Sequence, residues 1–92
     1  MKTILQFFIP WGDVAVLRMP EDAWVLTVQR MGPNCCIWVL ADPLRPRVER
    51  HFRVVTTGSP VDVDPKGYIG TVQTHQDSLN SVAWHIFEVS AP

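Results

Sequence analysis

Residues 24–41 read WVLTVQRMGPNCCIWVLA, and this stretch decides the fold. Two runs rich in β-branched, aromatic and other apolar residues flank a Gly-Pro-Asn segment, a pattern typical of two strands joined by a tight turn. Pro33 suits the second position of a β-turn and Asn34 suits the third. The sequence therefore predicts an antiparallel β-hairpin that reverses at this point.

Both faces of the predicted hairpin are apolar. Because successive residues of a strand point to opposite sides, one face becomes the core; it carries Leu26, Val28, Ile37, Val39 and Ala41. The other face carries Val25, Thr27, Gln29, Met31, Cys36, Trp38 and Leu40. This second face is too apolar to be left in water without a reason, so either a second layer of the chain or another subunit covers it. We favour a subunit, since small β-proteins often complete their core by oligomerising, and predict an oligomer interface at Met31, Cys36, Trp38 and Leu40.

The rest of the chain predicts more short strands. Eight prolines and five glycines divide it into pieces dominated by Val, Ile, Thr, Phe and Trp, so we predict strands near 2–9, 13–19, 23–31, 35–42, 47–57, 68–74 and 82–89. The last of these is apolar on both faces and is expected at the centre of a sheet. One short helical turn fits in 59–66 or 76–81. The predicted fold is all-β and mainly antiparallel, a small sandwich or barrel-like meander in one domain, 1–92.

Composition limits the classes of partner. The chain has 92 residues, 47% of them hydrophobic and 18% charged, with a net charge of −1, which argues against disorder and against generic electrostatic binding to nucleic acid or acidic lipid. No stretch approaches the roughly 18 apolar residues of a membrane helix. Cys35 and Cys36 are adjacent, so a bridge between them would be strained, and we expect two reduced thiols. We therefore expect a soluble cytoplasmic protein with no membrane partner and no sequence-specific nucleic acid.

The main charged feature is the segment RPRVERHFR at residues 45–53, which holds four of the eight basic residues. On a strand, Arg47, His51 and Arg53 share one face and span about 20 Å, enough to bracket a phosphorylated ligand. Arg50 falls on the opposite, apolar face. The alternative is an ordinary solvated face whose charge is neutralised by Glu49 and by Asp62 or Asp64.

Two further residues join the candidate ligand site. Thr57 lies in the segment VTTGSP at 55–60, which suits either an anion-binding backbone nest or plain turn chemistry at Gly58. His85 lies on an apolar strand face and is either a hydrogen-bonded core residue or a ligand contact. The predicted ligand-binding residues are Arg47, Arg50, His51, Arg53, Thr57 and His85. The spacings typical of metal sites and of nucleophile–base pairs are missing, so we expect no catalytic residue, no metal and no cofactor.

The chain has four tryptophans, a residue type that anchors cores and interfaces. We expect Trp24, Trp38 and Trp84 to anchor the core. Trp11 follows Pro10 in a bend and is expected to be more exposed than the other three.

Five segments in order carry a resemblance to a known family: MKTI at 1–4, CIWVLADP at 36–43, FRVVTTG at 52–58, YIGTVQ at 68–73 and WHIFE at 84–88. The chain resembles a family of short reading frames found in bacteriophages, prophages and their bacterial hosts and described only as a domain of unknown function. The likeness covers nearly the whole chain and implies a phage context without implying an activity. Residues 75–81 form an insertion relative to similar sequences, and their role is open.

Together these features predict a non-catalytic binding protein. From the arginine-rich strand and the second apolar face, and in a phage context, we expect a homo-oligomer that binds a small anionic, nucleotide-like ligand or a host protein and counters host antiviral defence. One alternative is a structural or accessory phage protein that acts through protein contacts alone. Another is a small hydrolase that uses His85 or His51 near Asp62 or Asp64.

Overall fold

The computed structural model describes residues 1–75 and 81–91, and within them it contains seven strands and one 3-10 turn. The strands are β1 (Thr3–Ile9), β2 (Val14–Pro20), β3 (Trp24–Met31), β4 (Asn34–Ala41), β5 (Arg47–Thr56), β6 (Tyr68–His75) and β7 (Ser81–Val89), and the turn is Pro65–Gly67. Each predicted strand is confirmed to within one residue at either end. The turn overlaps the helical turn predicted in 59–66, while the alternative at 76–81 lies almost entirely outside the described residues. None of the described elements is a helix long and apolar enough to cross a membrane.

The strands form two antiparallel sheets that pack face to face. One sheet has the order β1-β4-β3 and the other β2-β5-β7-β6. The predicted all-β, antiparallel sandwich is therefore confirmed, and so is the central position of β7, which lies between β5 and β6.

The core fills the space between the sheets with one set of alternating side chains from each strand. Phe52 and Ile86 from the four-stranded sheet and Ile37 and Val39 from the three-stranded sheet are fully buried. Met19 on β2 is equally buried. Burying side chains of this size stabilises the fold by about 1.5–3 kcal/mol each.

A bulge in β3 overturns part of the predicted facing. The pairing of β3 with β4 shifts between Val25, which lies opposite Val39, and Thr27, which lies opposite Trp38. Leu26 is the extra residue, and its side chain is 45% exposed. The placement of Leu26 in the core and of Val25 on the outer face was therefore wrong, because one inserted residue reverses the facing of the residues on one side of it.

The hairpin turn begins one residue earlier than the sequence predicted. Met31 pairs with Asn34, which leaves Gly32 and Pro33 as the two loop residues. Gly32 has a φ of 59° and occupies the second position of the turn, so Pro33 is third. A two-residue hairpin loop needs positive φ at its second position to match the twist of the strands, and glycine adopts it at least cost.

The two sheets approach most closely where β3 packs against β6. At Gly70, a Cβ atom would lie 2.7 Å from Cγ1 of Val28, a separation too short for two carbon atoms. Val28 is buried and therefore uses the space that a side chain at position 70 would fill. The missing side chain of Gly70 lets this edge of the sandwich close.

We expect Gly70→Ala to destabilise the protein by about 1–3 kcal/mol, because the added methyl group overpacks the contact with Val28. Val28→Ala alone should also destabilise it by leaving a cavity. In the double variant, the smaller residue at 28 makes room for the methyl group, so the loss in urea unfolding should be smaller than the sum of the two single losses. Additive losses would contradict this account of Gly70.

Candidate functional site

Arg50 forms an ion pair on the core-facing side of the four-stranded sheet, near one end of the sandwich. Its Nε and Nη2 atoms both donate to the carboxylate of Glu88 on β7, the second over 2.8 Å, and its Nη1 donates to the carbonyl oxygen of Ala23 over 2.8 Å. The two side chains are 21% and 29% exposed. The hydrogen bonds to Glu88 raise the pKa of Arg50 further above its usual range, against the opposing effect of burial. Arg50 does fall on the apolar face, as predicted, and Glu88 neutralises it there.

The other three arginines of the segment 45–53 also form ion pairs or hydrogen bonds with other residues of the chain. Arg45 bridges to Glu21 and Asp22 at 2.7 and 3.1 Å, and Arg53 bridges to Asp13 at 2.9 Å. The guanidinium of Arg47 donates to a main-chain oxygen, that of Arg18, and lies 5.6 Å from the ring centre of Phe7. The segment therefore combines cations with acidic partners from other parts of the chain, which sequence spacing did not reveal.

His51 and Arg53 line a groove on the outer face of the four-stranded sheet. The groove has a volume of about 400 Å³, and its other lining residues are Val14, Val16, Asp62, Val89 and Ser90. Arg47 shares the face of β5 with His51 and Arg53, as predicted, but it does not line the groove. The predicted ligand set is therefore divided between this groove, the opposite side of the sheet at Arg50, and a third place on the outer face.

That third place is a row of hydrogen-bonded side chains centred on His85. Its Nε2 atom lies 2.7 Å from Oγ1 of Thr57, and its Nδ1 atom lies 2.9 Å from Oγ1 of Thr71. The row continues to the hydroxyl of Tyr68, 2.6 Å from the Thr71 hydroxyl. Two predicted site residues, Thr57 and His85, are thus in contact, and both ring nitrogens of the histidine are occupied by hydroxyl groups.

The outer face of the three-stranded sheet carries eleven uncharged side chains, and we call it the uncharged face. Its members are Ile4, Gln6, Phe8, Trp24, Thr27, Gln29, Met31, Asn34, Cys36, Trp38 and Leu40. All four residues of the predicted oligomer interface belong to it. Sequence reasoning missed the contribution of β1, because nothing local shows that β1 pairs with β4.

The position of Cys36 shows that part of the argument for the predicted interface was wrong. Its side chain is fully buried within the single chain, so no second copy is needed to shield it. Phe8 and Gln29 lie opposite it on the two flanking strands, and its Sγ donates to the Gln29 carbonyl oxygen. Trp38 and Leu40 are half-buried. A small residue on the central strand is thus covered by its larger neighbours, and the exposed area lies on the flanking strands.

The tryptophans are placed differently from the prediction in three cases. Trp38 is half-buried on the uncharged face and not in the core. Trp24 is 70% exposed rather than a core anchor, because its register opposite Leu40 puts it on the uncharged face. Trp11 is less exposed than Trp24; its ring centre lies 5.1 Å from that of Trp84 and its Nε1 donates to the carbonyl oxygen of Pro33. Trp84 packs partly buried against the core, as expected.

The cysteines are two buried free thiols, as predicted. Burial raises the pKa of Cys35 from 9.0 to about 11, and the neighbouring thiol of Cys36 adds to the rise. Among residues 1–75 and 81–91, no three His, Cys, Asp or Glu side chains are grouped as a metal site would require.

Comparison with family models identifies the chain over its whole length. The model described as "Domain of unknown function (DUF7352)" matches residues 1–92. The chain belongs to the DUF7352 family. Comparisons with curated proteins and with solved structures find no match. This DUF7352 domain is thus a seven-stranded sandwich in its described part, which agrees with the fold expected from the sequence.

We expect Glu88→Gln to destabilise this DUF7352 domain by about 1–3 kcal/mol, because it leaves the guanidinium of Arg50 without a counter-charge. The loss should be smaller than the about 3–5 kcal/mol for a wholly buried pair, since both side chains still reach water. The double variant Arg50→Met/Glu88→Leu removes both charges and should regain much of the stability in urea unfolding. A double variant as unstable as the sum of both single changes would contradict this.

We expect the free energy of unfolding to fall at high pH because the thiol of Cys35 is buried. Its folded pKa is about 11 and its unfolded pKa about 9.0, so the unfolded chain loses the proton first as the pH rises. The contribution of the buried thiol is therefore complete below about pH 9 and falls by about 2–3 kcal/mol as the pH approaches 11. Urea unfolding at pH 8 and pH 10.5 measures this fall. Cys35→Ala should show a smaller fall than the unchanged protein, and an equal fall would refute the role of Cys35.

Proposed function

We propose that this DUF7352 protein is a non-catalytic binding protein that self-associates through the uncharged face. The observation that carries the proposal is the exposure of large apolar side chains on one side of one sheet. Ile4, Phe8, Trp24 and Met31 are 58%, 56%, 70% and 42% exposed, respectively. Such a concentration is typical of an interaction surface rather than of scattered exposed residues.

The area of the uncharged face suits a second copy of the chain. With about 150–250 Å² for a whole aromatic side chain, the four residues together expose on the order of 500 Å², in the upper part of the roughly 300–600 Å² range for the largest apolar patch on a monomer. Two such faces packed together would bury about 1,000 Å², the area at which specific interfaces begin.

The charge of the face also favours self-association. None of its eleven residues is charged, so two copies related by a two-fold axis would bring no like charges together. The outer face of the four-stranded sheet differs, because it carries His51, Arg53 and the row around His85. The proposed assembly therefore leaves the polar face free for a ligand or a partner protein.

We place this binding role in bacteriophages and their hosts, because the family resemblance in the sequence implies that context. There a small oligomer would act by holding a nucleotide-like anion or a host defence protein, and a structural phage protein is the alternative that uses protein contacts alone. The hydrolase alternative would use His85 or His51 near Asp62 or Asp64. Asp62 lines the same groove as His51, and that pair is the observation in favour of this alternative. Threonine hydroxyls, and not a carboxylate, lie on both ring nitrogens of His85, which favours binding over catalysis there.

Self-association is tested with Ile4→Lys and its matched control Val14→Lys. Both residues are 58% exposed and both lie on the outer face of an edge strand, but only Ile4 belongs to the uncharged face. The unchanged protein should scatter light as a multiple of 10.4 kDa. Ile4→Lys should weaken association at least about tenfold, because it places an unpaired ammonium group in the interface, and Val14→Lys should not.

A 10.4 kDa monomer at every concentration tested would overturn the proposal. Equal weakening by both lysine variants would overturn it as well, since it would show that the association does not depend on the uncharged face.

A further inference from the structure

A cleft opens at one edge of the sandwich, between the start of β3 and the segment that leads into β6. Its volume is about 450 Å³, within the range of small-molecule sites. Both strands are edge strands, and both are irregular here, with register shifts between Val25 and Thr27 and between Tyr68 and Gly70. Bulges of this kind are common beside binding sites because they redirect side chains. None of the predicted ligand residues except Arg50 lines this cleft.

Two exposed aromatic side chains border the cleft. Trp24 and Tyr68 are 70% and 51% exposed, although aromatic rings are among the most costly side chains to leave in water. Tyr68 is also held in place: its ring lies 5.5 Å from that of Phe87 in an edge-to-face arrangement, and its hydroxyl is 2.6 Å from that of Thr71. A ring fixed in this way offers a flat apolar surface without losing further conformational freedom on binding.

The cleft has a net charge of +1. Arg50 and Glu88 neutralise each other in its lining, and Lys66 adds a positive charge to the same lining, while Asp62 and Asp64 lie outside it in the adjoining groove. Three of the five N–H donors of Arg50 are used by Glu88 and Ala23. This leaves two donors of a partly exposed guanidinium that no described residue takes up.

The wall that carries Lys66 is rigid. The carboxylate of Asp64 accepts a hydrogen bond of 2.9 Å from the main-chain N–H of Lys66 and so caps the turn Pro65–Gly67. A Cβ atom at Gly67 would collide with the carbonyl oxygen of Glu88, so the turn lies directly against β7. The position of the lysine main chain is therefore set before any ligand arrives.

We infer that this cleft binds a planar aromatic molecule with one anionic group, such as a nucleoside monophosphate or an aromatic carboxylate. The ring stacks on Tyr68, since the assembly proposed above covers Trp24, and the anion lies at Lys66 with the free donors of Arg50 beside it. The inference rests on the binding role proposed above, for which it names the ligand class and the site, and it does not depend on self-association.

The test is isothermal titration calorimetry of the full chain with adenosine monophosphate, indole-3-acetate, adenosine and inorganic phosphate. The first two carry both a ring and an anion and should bind. Adenosine lacks the anion and phosphate lacks the ring, so each should bind at least about tenfold more weakly than adenosine monophosphate. The stronger of the first two identifies whether the natural anion is of the phosphate or the carboxylate type.

Four variants locate the site. Tyr68→Ala should weaken binding of adenosine monophosphate by about five-fold to a hundred-fold, the range for loss of one stacked base, while Tyr68→Phe keeps the ring and should bind normally. Lys66→Glu should weaken binding by a similar factor. Lys2→Glu makes the same charge change outside the cleft and should leave binding unchanged.

Three results would overturn the inference. They are no heat with either aromatic anion, equal affinity for adenosine and adenosine monophosphate, and equal weakening by Lys66→Glu and Lys2→Glu. If chromatography shows that adenosine monophosphate is consumed during incubation, the cleft would be a catalytic site and the inference of simple binding would be wrong. Repeating the titration with Ile4→Lys separates the two proposals, because a failure of self-association leaves the affinity for adenosine monophosphate unchanged.

Discussion

The ion pair between Arg50 and Glu88 connects the parts of the molecule on which its surfaces depend. It joins β5 to β7 within one sheet, and the third hydrogen bond of Arg50 reaches the carbonyl oxygen of Ala23, immediately before β3 in the other sheet. Trp24 follows Ala23 directly, and Gly67 lies against the main chain of Glu88. One arginine thus links the two sheets at the edge where the cleft opens.

A two-layer sandwich has one interior and two outer faces, and the two outer faces of this protein differ in chemistry. One carries charged residues and a row of hydroxyl and imidazole groups, and the other carries only uncharged residues. Water solvates the first better than the second, and for this reason the proposed self-association uses the uncharged face. The cleft lies at the corner between them, and Trp24 belongs to both the uncharged face and the cleft.

The strands were predictable because alternation and turn residues are local signals, and the central place of β7 followed from its two apolar faces. The ion pairs of the arginines could not be predicted, because Asp13, Glu21 and Glu88 are remote in sequence from the arginines that they bind. The bulge at Leu26 was also hidden, because no residue type marks an inserted position within an apolar strand. Pairing of β1 with β4 decides which side chains cover Cys36, and that pairing is a property of the whole fold.

The irregular edge strands have a consequence for the form of any assembly. An open, regular strand edge can add further strands without limit and so favours fibrils. In β3 and β6 the inserted residues break the hydrogen-bonding ladder, which makes these two edges poorer templates for continued growth than the edges at β1 and β2, whose pairing is regular. When two copies pack these faces together about a two-fold axis, the same face of each copy is buried, and neither remains free to bind a third copy. Association through the uncharged face, as proposed above, would therefore give a closed particle of fixed size and not an open-ended polymer.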